Sequence, residues 1–304
     1  PGRFGGGRSL GFLAFGAVGG AGRARKQCRA VRPALIEWLE TRVLMSRSWI
    51  VATSGSDGGD GTLDNPLGTI QEAANLAAWG DTVLIRGGTY HETVQPASGG
   101  VTFEPYNGES VTISGADPVT GWSNYDGSIY QASIPSDLGD GNNQVFVDGQ
   151  MVSEARWPNA GPDVSRPAEA QIGSYSNGVI YDPSLTQDYG YWYGATIHIT
   201  PGAAWTSYSG TVTDGGPGWL QVSLPTLSSF ETPTAGNHYY LSGNFQTLNG
   251  PGQWFVDSSG NLYLWTPGSD DPGGHDVEVK QRQYAFDLSG VSNTTIEGIN
   301  LFAA

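Results

Sequence analysis

Short apolar and β-branched runs, separated by Gly, Asn, Asp and Pro, dominate the chain after residue 48. Runs of this length between turn residues are typical of strands. A Ser-Ser-Gly-Asn segment at 258–261 predicts a hairpin turn between two of them. The predicted strands are 82–85, 101–103, 111–113, 144–147, 196–200, 220–224, 238–241, 254–256, 262–265, 284–288, 294–296 and 299–302. The pattern therefore predicts an all-β protein.

One segment has helical spacing instead. Thr69, followed three residues later by Glu72, has the pattern of a capping box at the start of a helix. The apolar residues that follow share one helical face: Ile70, Ala73, Ala74 and Ala77. Trp79 and Gly80 mark the predicted end of this short helix.

The spacing of the first strands predicts a solenoid. Between residues 69 and 115, strands of three or four residues recur with about 10 to 18 residues between equivalent positions, as in a coil that stacks on itself. The short helix would cover the open end, where strand edges are otherwise exposed. An ordinary β-sandwich is the alternative that the pattern leaves open.

Changes in composition along the chain predict four parts. Residues 1–48 form a basic leader, 49–117 the cap and first coils, and 280–304 a return to the solenoid. Residues 118–279 hold seven of the ten tryptophans among many Tyr, Pro and Gly residues. We expect this third part to be an inserted, sandwich-like β module.

Composition and charge exclude several classes of protein. Only 14% of the 304 residues are charged, well under the usual ~25%, and 46 are glycine, which excludes a coiled coil or helical bundle. No run reaches the ~18 to 20 apolar residues that span a bilayer. Residues 49–304 carry 27 acidic and five basic side chains, a net charge of −22, which disfavours binding to nucleic acid. A neutral or cationic partner fits better.

The leader has the opposite charge. Residues 1–48 carry nine basic and two acidic side chains, a net charge of +7, and contain the one cysteine, Cys28. Residues 39–46 resemble the LEPRxLLS-type sorting signal of bacterial exoproteins, with Thr41 in place of Pro and Met45 in place of Leu. The resemblance implies a secreted or cell-surface protein. Because the sequence begins at Pro1 and stops directly after an apolar run, we interpret it as an N-terminal fragment.

Four segments carry a resemblance to the pectate-lyase-like superfamily. They are Asn-Pro-Leu-Gly-Thr-Ile-Gln-Glu-Ala at 65–73, Gly-Asp-Thr-Val at 80–83, Gly-Gly-Thr-Tyr-His-Glu at 87–92 and Val-Thr-Ile-Ser-Gly at 111–115. The resemblance implies a right-handed parallel β-helix, of which these segments form the N-terminal cap and first coil.

The Trp-rich part resembles the inserted module of large exported glycoside hydrolases. The matching stretches are 145–150, 155–159, 248–254 and 262–265. Gln253 and Asn249 stand where that module usually has acidic residues, and neither amide can serve as a general acid or carboxylate nucleophile. The resemblance implies a polysaccharide-degrading hydrolase whose catalytic residues lie beyond residue 304.

Arg156, Trp157 and Asn159 are the predicted substrate-binding residues. A Trp ring stacks on a sugar face, and an Arg guanidinium pairs with a carboxylate. The alternative is a packed corner of the module, in which Pro158 fixes the turn.

Other polar clusters carry weaker hypotheses. Asp57, Asp60 and Asp64 have carboxylate oxygens suited to Ca²⁺, but their spacing differs from an EF-hand loop and favours solvated turns. His91 and Glu92 are adjacent, so on a strand they face opposite ways and do not form an acid/base pair. The remaining histidines, His198, His238 and His275, lack metal-type spacing, so no zinc site is expected. No cofactor is expected, and Ca²⁺ at the aspartates is the alternative left open.

Three functions remain open on this sequence. A glycoside hydrolase is favoured by the inserted module. A polysaccharide lyase would need a base and charge neutralisation of a uronate, from an Arg or Lys and a Ca²⁺ cluster. A non-catalytic adhesion protein, with glycan bound by the Trp-rich module, would lack a carboxylate pair. All three imply a polysaccharide or glycan partner, and the fold alone does not choose between them.

Overall fold

A computed structural model of the chain describes residues 46–139, 141–161, 163 and 165–304. The predictions made for residues 1–45, including Cys28 and most of the sorting signal, lie outside these residues. Within them, no helix is long and apolar enough to cross a membrane.

The described residues contain one α-helix and 22 strands, named here in chain order. The helix α1 is Ile70–Leu76. The strands are β1 Ser48–Val51, β2 Thr82–Ile85, β3 Gly88–Tyr90, β4 Thr102–Pro105, β5 Val111–Ser114, β6 Ala116–Pro118, β7 Ser123–Asp126, β8 Ile129–Ser133, β9 Val145–Val147, β10 Gln150–Glu154, β11 Ala170–Gln171, β12 Ser174–Ser176, β13 Val179–Tyr181, β14 Thr196–Thr200, β15 Tyr208–Gly216, β16 Trp219–Ser223, β17 His238–Ser242, β18 Gln253–Val256, β19 Asn261–Trp265, β20 Val277–Lys280, β21 Thr295–Ile296 and β22 Asn300–Phe302. Short 3₁₀ turns lie at Tyr106–Gly108, Phe245–Thr247 and Pro272–Gly274.

The strands of the described residues form four sheets of two kinds. Two small sheets, β1-β2-β4-β21 and β3-β5-β22, are parallel. An eight-stranded sheet has the order β6-β20-β9-β10-β18-β19-β8-β7 and is antiparallel except between β10 and β18, and the seven-stranded sheet β11-β17-β14-β15-β16-β13-β12 is wholly antiparallel. The all-β prediction is confirmed. Most strands pair antiparallel, however, so the parallel β-helix and its right-handed sense stay predictions.

The two parallel sheets share one buried core with helix α1. Along β2 the side chains alternate, with Val83 and Ile85 buried and their neighbours partly exposed. Phe103 and Ile113 come from the next strands, and Ile70 of α1 packs into the same cluster with no exposed surface. Burying a side chain of this size stabilises the fold by roughly 1.5–3 kcal/mol, so this core holds the helix against the strands.

The two antiparallel sheets are built from residues between Ala116 and Lys280. Their buried residues form separate clusters, one centred on Ile197, Leu220 and Tyr239 and another on Val145 and Leu264. Residues of the eight-stranded sheet also form a further, smaller cluster. The sandwich-like arrangement of the module stays a prediction.

The chain leaves the parallel sheets after Gly115 and returns beside the same residue. The backbone amides of Gln281 and Arg282 both donate to the Gly115 carbonyl, at 2.8 and 2.9 Å. A side chain at position 115 would place its Cβ 2.3 Å from the carbonyl oxygen of Ala303, so only glycine fits there. The Arg282 guanidinium also makes two hydrogen bonds to the Asp117 carboxylate, at 2.6 and 3.1 Å. The entry and exit of the antiparallel part are thus tied together.

The helix start agrees with the sequence. Thr69 is the N-cap, and its hydroxyl accepts from the amide of Glu72. In a complete capping box the Glu72 side chain would also accept from the Thr69 amide. Here that amide donates to the Asp57 carboxylate instead.

The helix end differs from the prediction. It stops at Leu76, three residues before Trp79, and Ala77 is already extended. The cause is Asp81, whose buried carboxylate accepts from the amides of Ala78 and Arg47 at 2.9 and 2.8 Å. These hydrogen bonds draw the chain away from the helix axis.

Most predicted strands lie within one or two residues of the observed bounds, but 284–288 is not a strand. Phe286 makes only an isolated bridge to Val94. Ala285 and Phe286 still pack on the core of the parallel sheets, and Asp287 accepts from the Ser289 amide in a turn. The apolar residues of this segment therefore serve packing without forming a ladder.

Candidate functional site

Arg156 is held by contacts within the protein. Its guanidinium carbon lies 3.7 Å from the ring centroid of Tyr240. Nη2 donates to the Ala168 carbonyl at 2.7 Å, and Nε donates to the Pro158 carbonyl at 3.3 Å. Partial burial lowers the pKa of Arg156 below its usual value. Three groups of the protein therefore fix the orientation of this side chain.

Trp157 and Asn159 point to other partners. The Trp157 ring lies 5.6 Å from Trp192 and 6.2 Å from Tyr239, at the edge of the seven-stranded sheet's buried cluster. The peptide bond between Trp157 and Pro158 is cis. Asn159 Oδ1 accepts from the side-chain amide of Gln253 at 3.1 Å.

The three predicted binding residues do not meet at one site. Arg156 lines a cavity of about 340 Å³, and Trp157 lines a different cavity of about 600 Å³. Their contacts match the packed-corner alternative, and their role in substrate binding stays a prediction.

The hydrogen bonds of Gln253 account for an amide at a position where the similar modules usually have an acidic residue. Its side-chain oxygen accepts from the amides of Asn249 and Gly250, and its NH₂ group donates to Asn159. A buried carboxylate could not make the last of these bonds. The residue links two turns of the module.

Two of the three aspartates named as candidate Ca²⁺ ligands, Asp57 and Asp60, serve the loop. Asp57 accepts from the amides of Gly68 and Thr69, and Asp60 accepts from the amide and hydroxyl of Thr62. Across the described part of the chain, no cluster of three or more His, Cys, Asp or Glu side chains is arranged to hold a metal ion.

A different group of residues comes together where the parallel and antiparallel parts meet. A cleft of about 340 Å³ opens between the sheet β3-β5-β22 and strand β20. Its lining residues are Thr89, His91, Thr112, Pro118, Asp276, Glu278 and Phe302. We name this the junction cleft.

Two carboxyl groups at the start of strand β20 line the junction cleft. Glu278 lies on the strand between the buried Val277 and Val279, so its side chain points away from the core, and Asp276 directly precedes the strand. Glycoside hydrolases place two carboxyl groups about the scissile bond. The junction cleft has two carboxyl groups in its lining.

The surroundings of Glu278 favour its protonated form. Partial burial raises the pKa of Glu278 above its ordinary value, and the negative charges of Asp276 and Asp117 raise it further. His91 acts in the opposite direction. Glu278 therefore holds its proton to higher pH than an exposed glutamate, as a general acid requires.

His91 is oriented with one ring nitrogen left for a ligand. Its Nδ1 lies 2.7 Å from the Ala116 carbonyl, which can only accept, so Nδ1 carries a hydrogen. In the neutral ring, Nε2 is then the acceptor. Asp117, held by Arg282, lies 3.6 Å from Nδ1.

His91 and Glu92 separate, as their adjacency on the chain suggests. The Glu92 carboxylate turns to the start of α1 and accepts from the amides of Ile70 and Gln71, at 2.9 and 2.8 Å. His91 turns to the junction cleft. The two side chains therefore serve different parts of the molecule.

Asp276 and Glu278 were not among the residues singled out from the sequence. The available signal was the run Asp-Val-Glu-Val-Lys at 276–280, in which acidic residues alternate with core valines. Thr89 and His91 lie close to this run only because segments almost 190 residues apart in sequence come together. A local sequence pattern does not predict such a contact.

Comparison with known proteins places the fold beside carbohydrate-active enzymes. No family model matches the chain. It is 44% identical over 70 residues to "Uncharacterized protein YwoF" of Bacillus subtilis (strain 168), covering 21% of this chain and 15% of that protein. It is 42% identical over 74 residues to "Pectate lyase PEL9" of Emericella nidulans, covering 22% of this chain and 18% of the lyase.

One solved structure shares the fold over most of the chain. A protein named "Glycoside hydrolase" superposes with a TM-score of 0.66 at 18% identity, covering 84% of this chain and 50% of that one. The chain thus spans half the length of that hydrolase and less than a fifth of the two curated relatives. The shared feature is a carbohydrate-active enzyme-like fold.

Proposed function

We propose that the protein is an exported, carbohydrate-active β-helix protein that degrades a polysaccharide as a glycoside hydrolase. The observation that carries the proposal is the junction cleft, which Asp276 and Glu278 line together with His91. The fold likeness to a glycoside hydrolase and the partial match to a pectate lyase support it.

The β-helix part of the proposal rests on how the parallel strands stack. Strands β2 and β3 pair in parallel with β4 and β5, in the same order, as two faces of successive coils would. Strands β21 and β22 then extend the same two sheets. Helix α1 covers the shared core, in the place that a solenoid cap occupies.

The proposed chemistry gives the two carboxyl groups different roles. Glu278 would donate its proton to the glycosidic oxygen as the bond to the anomeric carbon breaks. Asp276 would stabilise the positive charge that develops at that carbon or activate the water that attacks it. The hydroxyls of Thr89 and Thr112 line the same cleft and suit sugar hydroxyl groups.

The charge of the junction cleft favours a hydrolase over a lyase. A lyase must neutralise a uronate carboxylate, which needs a free cation. Arg282 is engaged by Asp117, and Asp276 and Glu278 add negative charge. An acidic uronate would therefore be repelled from this cleft.

The decisive experiment measures two products from the same digest. Purified protein, with and without Ca²⁺, is incubated with a panel of neutral and uronate-containing polysaccharides, and reducing ends and the absorbance of unsaturated uronates are recorded. We expect reducing ends without unsaturated products. Unsaturated products would assign a lyase instead, and binding without cleavage would assign an adhesion protein.

Three variants locate the activity within the molecule. Glu278→Gln and Asp276→Asn should each lower the rate by at least 100-fold, since each removes a group that the transition state needs. Glu297→Gln is the matched control, because Glu297 is exposed and lies outside the junction cleft. If Glu278→Gln and Asp276→Asn cleave at the wild-type rate, the catalytic residues lie elsewhere, as the sequence resemblance implies.

A further inference from the structure

Two exposed aromatic rings lie at one end of the seven-stranded sheet. Trp205 is in the loop 201–207 between β14 and β15, and Phe230 is in the loop 224–237 between β16 and β17. Because these strands alternate in direction, both loops lie at the same end. The Trp205 side chain is 88% exposed and Phe230 is 82% exposed, the highest values among the large apolar residues of the described chain.

The two rings border a single small depression. Its volume is about 220 Å³, and its other lining residues are Pro201, Ala203, Thr206, Ser228 and Glu231. We name these seven residues the aromatic platform. It has no lining residue in common with the junction cleft.

The loops of the aromatic platform are fastened to one another. Asn237 is buried, and its side chain accepts from the Gly202 amide at 2.9 Å and donates to the Gly202 carbonyl at 3.0 Å. Gly202 has a φ of +58°, and a Cβ there would lie 1.9 Å from the Phe230 carbonyl oxygen. Only glycine lets the two loops approach this closely.

Glu231 fastens the loops a second time. Its carboxylate accepts from the Tyr208 hydroxyl, from the Ser228 amide at 3.0 Å and from the Thr206 hydroxyl at 3.4 Å. These hydrogen bonds lower the pKa of Glu231 to about 2, so it is ionised at every physiological pH. The platform thus presents a fixed carboxylate beside its two rings.

Exposed aromatic rings on loops that are fastened to one another are suited to binding a ligand. Loops that are already ordered lose little backbone entropy when a ligand binds. An aromatic face packs against the C–H face of a pyranose ring, and a carboxylate accepts hydrogen bonds from its hydroxyl groups. The depression is smaller than the ~300 Å³ of ordinary ligand pockets, so it fits one ring of a longer chain.

The charge of the protein selects among glycans. Residues 49–304 carry a net charge of −22, and Glu231 adds its charge at the platform itself. An anionic glycan would be repelled, whereas a neutral one would not. We propose that the aromatic platform is a binding site for a neutral polysaccharide, separate from the junction cleft and independent of whether that cleft is catalytic.

The test compares binding by matched aromatic variants. Trp205→Ala, Phe230→Ala and the double variant are compared with wild type by affinity electrophoresis. Three sets of gels contain a neutral polysaccharide (xylan, galactomannan or hydroxyethyl cellulose), and a fourth contains the anionic polygalacturonate. Tyr284→Ala is the control, because Tyr284 is also exposed but lies outside the platform. Circular dichroism and thermal unfolding show whether each variant is folded.

We expect at least one neutral polysaccharide to retard the migration of wild type and of Tyr284→Ala. The dissociation constant of Trp205→Ala should be at least tenfold larger than that of wild type, and the double variant should not be retarded. Glu297→Gln, whose residue lies outside both the aromatic platform and the junction cleft, should be retarded like wild type. The proposal is overturned if the double variant is retarded as strongly as wild type, if no neutral polysaccharide retards wild type, or if polygalacturonate is bound best.

Discussion

The guanidinium of Arg156 lies over the ring of Tyr240, 3.7 Å from its centroid. A cation in this position contributes about 0.5–2 kcal/mol, and the hydrogen bonds to the carbonyls of Ala168 and Pro158 add to it. We therefore expect Arg156→Ala to lower the free energy of unfolding by about 1–3 kcal/mol, measured by urea denaturation. The free energy of unfolding of Arg156→Lys should lie between those of wild type and Arg156→Ala, since lysine keeps the charge but loses the planar guanidinium group. An Arg156→Ala variant with unchanged stability but weakened glycan binding would favour the binding role instead.

Glu278→Gln should stabilise the protein at neutral pH. The folded-state pKa of Glu278 is raised above the ordinary value of 4.5, so the stability that its protonated form provides is complete below about 4.5 and lost as pH rises through the raised pKa. Glutamine cannot ionise and keeps that stability. We expect equal melting temperatures near pH 4 and a higher one for the variant at pH 7. A difference of the same size at both pH values would show that ionisation of Glu278 is not its cause.

His275 should make stability fall as pH rises above neutral. Its Nδ1 lies 2.8 Å from Asp148 and its Nε2 lies 3.1 Å from Asp270, and these carboxylates raise the pKa of His275 above 6.5. The stabilisation is therefore complete below about pH 6.5 and lost as pH rises through the raised pKa. We expect the melting temperature of wild type to approach that of His275→Gln between pH 6.5 and 9. Parallel curves for the two proteins across this range would contradict the assignment.

Glu92 should matter for the cap of the parallel sheets. Its carboxylate accepts from the first two amides of α1, at Ile70 and Gln71. Removal of a helix cap costs about 0.5–2 kcal/mol. We expect Glu92→Ala to lose this amount in urea denaturation and Glu92→Gln, which keeps one acceptor oxygen, to lose less. Equal losses in both variants would show that the carboxylate charge, rather than the hydrogen bonds, supplies the stability.

The fold was predictable where side chains alternate strictly. Strand β14 was predicted with its observed bounds, because Ile197 and Ile199 alternate with polar residues. Strand β15 was missed, since its sequence is rich in Gly, Ser and Thr and it is held as a strand by β14 and β16 on either side. The segment around Phe286 is the opposite case: it was predicted as a strand, but its apolar residues pack on the core without pairing in a sheet.

The candidate site was less predictable than the fold. Local reasoning separated His91 from Glu92 by the alternation of a strand, and their partners do differ. The residues that His91 does meet, Asp117 and Glu278, come from beyond its own segment. Arg156 was predicted to bind substrate because a guanidinium pairs with a carboxylate; in the structure it contacts Tyr240, Ala168 and Pro158, and the binding role stays a prediction. Sequence supplies the type of group, whereas non-local pairing decides where that group points.

The amides of Gln281 and Arg282 both donate to the carbonyl of Gly115, so the chain enters and leaves the antiparallel part at neighbouring points. Two chain ends that meet at one atom can be joined by a short linker without disturbing the strands on either side. Everything between these residues is therefore a unit that can be removed from the part with the parallel sheets. The same geometry offers protein engineers a site where a foreign domain with adjacent termini can be grafted.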